Sequence, residues 1–492
     1  MLLLNFFHDI ILSNLPWIIL VIYLVTIFST AAMIIHEKRD PAKTSTWVLL
    51  IILLPIVGLV FYIFFGQNRR KEKIFNRKGF QDLEQIEYLS HLQVANFRRN
   101  KQNFNSKISN HLSIITLLLN NSKALLTEFN DIAIFQNGQQ AFDSIIDSLY
   151  SATSSIHIEF YIINDDKIGN RIKNILITKA KEGVKVRLIY DDVGSWSLPK
   201  KYINELREAG VEVYPFMEVK FPLLTSKVNY RNHRKIVVVD GMVAYLGGMN
   251  IADRYIEGSR RLGRWHDTLL RIEGEAVHSL QVIFLLDWYF VTGDIVNNRT
   301  QYFPEVRVTN YHPLQIVTSG PDSDWASIMQ VFFLAITRAT HHIYISSPYF
   351  IPNESILTAL KTAALSGVDV RIILPGKSDS PVVYWSSLSF VSELLDAGIK
   401  VYLFQNGFDH SKLIMIDSAF SSVGSANMDI RSFEDNFEVA AIIYDEQITK
   451  NLESSFMDKL IQCQIITPEN WSKRPLKHSY KEALARLISP LF

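Results

Sequence analysis

The strongest constraint on the fold is an internal duplication. ATSSIHIEFYII (152–163) returns as ATHHIYISSPYFI (339–351), EGVKVRLIYDD (182–192) as SGVDVRIILPG (366–376), and ELREAGVEVYPF (205–216) as ELLDAGIKVYLF (393–404). Each phrase carries a short β-branched run, and the stretches between them, such as GNRIKNILITKAKEG, suit amphipathic helices. Strand, helix and strand in that order predicts parallel α/β units. The 492 residues would by length alone allow about three domains, yet the repetition predicts one domain present twice. The expected halves are 129–298 and 313–492. Their boundary falls between Arg299 and His312, and Gly320 and Pro321 open the second half. Residues 67–128 are expected to form a basic, helical connector together with the start of the globular part.

Both copies end in the same chemical phrase. The first is NYRNHRKIVVVDGMVAYLGGMN, with His233, Lys235 and Asp240 in a His-x-Lys-x4-Asp pattern, then Gly247, Gly248 and Asn250. The second is DHSKLIMIDSAFSSVGSANMD, with His410, Lys412 and Asp417, then Gly424, Ser425 and Asn427. Asp to Gly is seven residues and Gly to Asn three more in both. A single match could be chance, a surface histidine beside a solvated lysine. Two matches with one trailer, at the same place in a repeated domain, cannot be. Residues i and i+2 of a strand share a face, so each His and Lys point the same way, and IVVVD and LIMID continue as apolar strands. Brought together about a pseudo-twofold axis, two imidazoles and two ammonium groups would face one cavity. With amide- and hydroxyl-bearing Asn and Ser beside them they suit a phosphate group, and lysine charge can take the place of a metal ion.

Composition removes several alternatives. Hydrophobic residues make up 48% and charged residues 20%, which excludes a disordered chain. Lys+Arg number 50 against 49 Asp+Glu, a net charge of +1, unlike a dedicated nucleic-acid binder. The single cysteine, Cys463, excludes an internal disulfide framework and a cysteine-based zinc site.

The apolar residues are also unevenly placed. Residues 16–35 and 45–65 are two uncharged runs, each about the length of a membrane-spanning helix. A cleaved signal peptide fits the first poorly, because the leader has no basic start and a second run follows. Pro55 and Gly58 are tolerated in membrane helices. The loop between the runs holds Lys38, Arg39 and Lys43, whereas Arg69, Arg70, Lys71, Lys73, Arg77 and Lys78 follow the second. That excess predicts two transmembrane helices within residues 1–66 and a cytoplasmic C-terminal portion. The basic cluster is a stop signal for insertion that can also rest on anionic headgroups.

The paired His-x-Lys-x4-Asp phrases with their Gly-x-x-Asn trailers resemble the phospholipase D superfamily. The two apolar runs, the phrase AKTSTWVLLIILLPIVGLVFYIFFG and the closing RLISPLF are similar to bacterial cardiolipin synthases within it. The resemblance covers nearly the whole chain, with residues 67–128 the vaguest part. It implies two pseudo-symmetric phospholipase D-like α/β halves with central mixed or parallel sheets, preceded by two transmembrane helices, in a bacterial cell membrane.

The implied reaction joins two phosphatidylglycerols into cardiolipin and glycerol, without metal or nucleotide. One histidine attacks phosphorus; the other protonates departing glycerol and then deprotonates the incoming hydroxyl. Resemblance assigns His233 as nucleophile and His410 as acid/base, roles the residues alone do not separate. It also points to Asp267 in RWHD and Glu438 in NFEVA as carboxylates that hold the imidazole tautomers. Lys235, Lys412, Asn250 and Asn427 would bind the phosphate oxygens, and Ser425 would serve the phosphate or orient a histidine. Asp240 and Asp417, part of the signature, would brace the motif rather than move protons. One departure is Asp409, where an apolar residue is expected before His410.

Weaker features are FMEVKFPLLT (216–225), a lipid-dipping or packed loop; Tyr384 and Trp385, an acyl groove or core; and SYKEALARLISPLF, on the membrane or capping the second half. A phospholipase D hydrolase would share every catalytic residue. A nuclease is disfavoured by the spans and the neutral charge, and a non-catalytic scaffold by both motifs being intact.

Overall fold

The computed structural model describes residues 81–99, 105–219, 229–296 and 299–489, with 41–54 and isolated positions between 14 and 62. A helix at Pro41–Leu53 carries the start of the second apolar run. Most of both runs lies outside the described residues, and among those described no helix is long and apolar enough to cross a membrane.

The first half contributes strands β1 (Leu126–Phe135), β2 (Ser155–Phe160), β3 (Lys185–Asp191), β4 (Glu212–Phe216), β5 (Lys235–Val239), β6 (Val243–Gly247) and β7 (Leu269–Gly274). The second contributes β8 (Tyr311–Ser319), β9 (His342–Ser346), β10 (Asp369–Pro375), β11 (Lys400–Phe404), β12 (Leu413–Ile416), β13 (Phe420–Gly424), β14 (Glu438–Ile443) and β15 (Cys463–Ile466). The three repeated phrases run through β2 and β9, β3 and β10, and β4 and β11, and each trio is parallel. The motif hairpins β5–β6 and β12–β13 are antiparallel.

The halves do not keep separate sheets. β1 and β8 pair antiparallel, Leu126 opposite Gln315, and fuse everything into one 15-stranded sheet of order β15-β11-β10-β9-β12-β13-β14-β8-β1-β7-β6-β5-β2-β3-β4. Read outward from β1/β8, the two sides repeat the same order, as a pseudo-twofold axis requires.

The motif strands are apolar on both faces because both are covered. Val237 and Val239 pack into the core of the first half, whereas Ile236 and Val238 face a core shared by both halves. The helices Ala276–Thr292 and Glu446–Leu460 supply Leu280, Ile448 and Leu452 to that shared core. The stretch expected as a connector is helical at Gln81–Arg99 and Leu112–Asn121. Within it, Val94, Phe97, Ile115 and Leu118 are buried with Val317, Ile328 and Ile343 in the core of the second half.

Candidate active site

Each motif enters its strand by pairing with the other half. His233 N donates to Phe437 O (2.9 Å), and Phe437 N to Arg231 O (2.9 Å). In the mirrored place, Phe408–Asp409 forms a parallel two-residue ribbon with Trp265–His266, and His410 N donates to His266 O (2.7 Å). The segment before each reactive histidine is thus held by the segment before the other half's carboxylate.

The carboxylates follow. His233 Nδ1 lies 2.9 and 3.0 Å from the two oxygens of Glu438, and His410 Nδ1 lies 2.7 Å from Asp267 Oδ2. An Nδ1–H donated to a carboxylate leaves Nε2 as the reactive nitrogen. The two acids are supported differently. Ser425 Oγ donates to Glu438 Oε2, whereas the matching Gly248 leaves room for Asp267, whose Oδ1 would lie 2.2 Å from a Cβ placed there. Burial would raise Glu438, but His233, Lys235 and Ser425 together hold it below the usual carboxylate range. Burial wins at Asp267, which is pushed up to about 6 against Lys412 and the Thr268 amide. Ser425 therefore orients a carboxylate and does not line the substrate cavity.

Both histidines line one cavity of about 290 Å³, with Asn250 and Asn427. His233 is 9% exposed and His410 6%. Burial, then neighbouring lysine charge, lowers both imidazoles: His233 against the opposing pull of Glu438, His410 well below its ordinary value. Aromatic rings form the walls, Tyr161 at 4.9 Å from the His233 ring, Trp265 and Tyr255 at 5.3 and 5.8 Å from that of His410. Asn250 donates to the Tyr255 hydroxyl (2.9 Å) and accepts from Ile162 N (3.2 Å), while Asn427 Oδ1 is buried with no hydrogen-bond partner among the described residues.

The lysines depart from the expected picture of ammonium groups facing the cavity. Neither lines it. Lys235 Nζ folds back to His233 O (2.5 Å), and Lys412 Nζ sits 2.7 Å from His410 Nδ1 and also reaches His410 O. A buried ammonium must take the nearest oxygen, and the carbonyl two residues back is the nearest. Burial lowers Lys235 to about 7 and also lowers Lys412. Each lysine still acts on the other's histidine through charge.

Asp240 and Asp417 are absent from the cavity lining. They sit at the far ends of the motif strands with φ of 53° and 51°. Asp240 accepts from the amides of Thr153, Ser154 and Ser155 at 2.7–2.8 Å, and Asp417 from those of Thr340, His341 and His342 at 2.7–2.8 Å. They staple the motif hairpin to the start of β2 or β9.

Asp409 is buried and bonds Ser346 (2.5 Å), Ser411 (2.8 Å) and Lys459 (2.9 Å), so its charge is paired rather than left in the core. Tyr384 and Trp385 pack against the second-half core and do not line the cavity; their neighbour Val383 does. In FMEVKFPLLT, Phe216 and Met217 are buried, and residues from 220 onward lie outside the described set. Sequence reasoning missed Tyr255, Trp265 and the arginines 231, 254 and 431, which also line the cavity. Among the described residues no cluster of three or more His, Cys, Asp or Glu could hold a metal ion.

A family model described as cardiolipin synthase, PLD-like domain matches residues 145–288 and 333–461, and one described as phospholipase D-nuclease N-terminal matches residues 15–67. The chain is 42% identical over 473 residues to a cardiolipin synthase of Alkalihalophilus pseudofirmus, covering 96% of this chain and 93% of that one. It is 42% identical to cardiolipin synthase 2 of Bacillus anthracis, covering 95% and 90%. Among solved structures, a phosphatidylserine synthase from Haemophilus influenzae superposes with a TM-score of 0.56 at 15% identity, over 77% of this chain and 100% of that one, and shares the fold. The chain belongs to the cardiolipin synthase family of phospholipase D-like phosphatidyltransferases.

Proposed function

We propose that the enzyme transfers a phosphatidyl group from one phosphatidylglycerol to another, giving cardiolipin and glycerol. The observation that carries this reading is the placement of two buried histidines on one cavity, each held by a carboxylate. His233 Nε2 attacks phosphorus and forms a P–N bond as the P–O bond to glycerol breaks. His410 gives its proton to the departing oxygen. Burial and Lys412 hold the His410 imidazole well below its ordinary value, which favours giving up the proton, and a bound anionic phosphodiester favours its loading. In the second displacement His410 takes the proton of the acceptor hydroxyl while that oxygen replaces His233 on phosphorus.

Asn250 and Asn427 bind phosphate oxygens, and Lys235 and Lys412 add positive charge from just behind the histidines in a site with little water to screen it. One phosphodiester replaces another, so no energy source is needed. At about 290 Å³ the cavity is near the lower bound for ligand sites. It accommodates a headgroup, and the acyl chains remain in lipid.

Two transmembrane helices in residues 16–35 and 45–65, with the catalytic portion cytoplasmic, complete the proposal. The match of residues 15–67 to a phospholipase D-type N-terminal family supports it. So does the C-terminal helix Leu476–Ile488, which packs on the helix Pro381–Leu388 through Ser386 and Ala485 while Leu476, Tyr480, Leu484 and Leu487 stay exposed. That apolar stripe suits contact with an anionic lipid surface. The near-neutral charge does not suit nucleic acid.

Purified full-length enzyme in detergent, with phosphatidylglycerol as sole lipid and no added metal, is expected to release glycerol and form cardiolipin. Phosphatidic acid as the only lipid product would mean a hydrolase; cleavage of DNA but not lipid would overturn the assignment.

A further inference from the structure

Asn250 and Asn427 hold matching places in the two halves, and four residues beyond each stands an arginine, Arg254 and Arg431. Both arginines line the cavity that holds the two histidines, as does Arg231. Arg231 is committed to the buried Asp191 at 3.2 Å. Arg254 differs. No ion pair engages it among the described residues, and that, rather than its buried Nε without a hydrogen bond there, sets it apart; the side chain as a whole is half-buried. Its guanidinium lies 4.8 Å from the Trp265 ring, the same ring that lies 5.3 Å from His410. The adjacent Tyr255 hydroxyl reaches His410 Nδ1 at 3.4 Å. A cation with an unsatisfied buried donor is therefore fixed on the His410 side of the site.

We propose that Arg254 binds the phosphate of the acceptor lipid and so selects an anionic phosphodiester over an uncharged alcohol in the second displacement. The proposal rests on the transfer reading above. In that step one phosphate is already covalently held on His233 and served by the two asparagines and two lysines. The acceptor phosphate is attached only three carbons from the attacking hydroxyl, so it must enter the same cavity. Two phosphodiester anions at that separation repel in a buried site unless a further cation lies beside the second. His410 takes the acceptor's proton, and Arg254 shares an aromatic wall with His410, which is the side on which that second phosphate arrives. Planar guanidinium suits phosphate by paired N–H donors.

The test uses the full-length enzyme in phosphatidylglycerol micelles with labelled glycerol present. Two products are read together: cardiolipin, which needs the charged acceptor, and labelled phosphatidylglycerol, in which uncharged glycerol is the acceptor. Arg254→Gln is expected to lower the ratio of cardiolipin to glycerol exchange by about tenfold or more, the loss of one charge-assisted hydrogen bond. Arg254→Lys should restore most of that ratio. A ratio unchanged in Arg254→Gln, including both products falling together, would overturn the assignment. Absence of both products in the unaltered enzyme would instead sink the transfer reading and this proposal with it.

Discussion

His233 and Glu438, 205 residues apart and in opposite halves, meet at 2.9 Å. The mirrored pair, His410 and Asp267, meets at 2.7 Å. Neither half supplies the carboxylate for its own histidine, so the duplicated domain forms one site rather than two. The crossing follows from the backbone: each motif is hydrogen-bonded to the segment that leads into the other half's acid.

Replacing Glu438 by Gln keeps an oxygen near His233 Nδ1 but removes the charge that fixes the tautomer and stabilises a positive imidazole. The turnover rate should fall by about 10²–10⁴-fold, as when the aspartate of a catalytic triad becomes an amide, with KM for phosphatidylglycerol little altered. Steady-state kinetics on folded variant checks this; a rate within threefold of the parent would remove Glu438 from the machinery.

Two groups set a narrow pH window. Asp267, raised to about 6 by burial, loses its charge as pH falls through that value, and His410 then lacks an anionic partner. Lys235, lowered to about 7 by burial, loses its charge as pH rises. The pH profile of kcat/KM, which reports the free enzyme, should therefore rise through about 6 and fall above about 7. Lys235→Arg should move the alkaline limb upward, because guanidinium stays protonated. A flat profile from pH 5 to 9 would contradict both assignments. Stability has the opposite sense: a folded pKa depressed below the unfolded one means that the Lys235 contribution, complete above its unfolded pKa, is lost as pH falls through about 7. At pH 6 the buried ammonium is a cost, and Lys235→Met should gain about 1–3 kcal/mol in unfolding free energy while losing activity.

Gly248 tests the difference between the two carboxylates. An added Cβ there would stand 2.2 Å from Asp267 Oδ1 and 2.7 Å from Oδ2, and the carboxylate is the group free to yield. Gly248→Ala should displace it from His410 and lower turnover by at least about 10²-fold, with circular dichroism and thermal midpoint near the parent's. Ser425→Ala, which removes only a hydroxyl donor to Glu438, should cost far less. Equal effects of the two substitutions would refute the size argument.

What was legible in the sequence is what spacing encodes. His233 and Lys235, like His410 and Lys412, fall two apart on apolar strands, and the repeats of 152–163 and 339–351 announce matching strands. Spacing does not say which copy of an acid meets which copy of a histidine; the exchange of Glu438 and Asp267 between the halves is a property of the fold. Nor does spacing show that β1 and β8 weld two sheets into one, or which core Val94 and Leu118 enter. Lys235 and Lys412 were expected to face substrate, because parity places them on the histidine face; parity is silent on a long side chain turning back to its neighbour's carbonyl. Arg254 was available as an Asn-x3-Arg repeat shared with Arg431, but its meaning depends on a missing partner, which only packing reveals.

Asp417 belongs to the signature without facing the cavity, and its removal should separate folding from chemistry. From Lys412 to Asp417 the strand advances roughly 16 Å, and at that distance the carboxylate accepts three backbone amides and the Thr340 hydroxyl (2.9 Å). Burial would raise its pKa, but the bonds from His342, Thr340 and His341 outweigh that and hold it below the ordinary aspartate value. A depressed folded pKa means stability that is present above the unfolded pKa and lost as pH falls through the folded one. Asp417→Ala loses those bonds and, at φ 51°, also loses the short polar side chain that lets aspartate tolerate the left-handed region, costing about 2–3 kcal/mol. Its denaturant midpoint at pH 7 should drop accordingly, and the gap from the parent should shrink as pH falls below about 4. Turnover per folded molecule should stay within about twofold, because a staple at the far end of the strand has no path to the phosphate. A variant that folds with parental stability yet cannot turn over would place Asp417 in the chemistry after all.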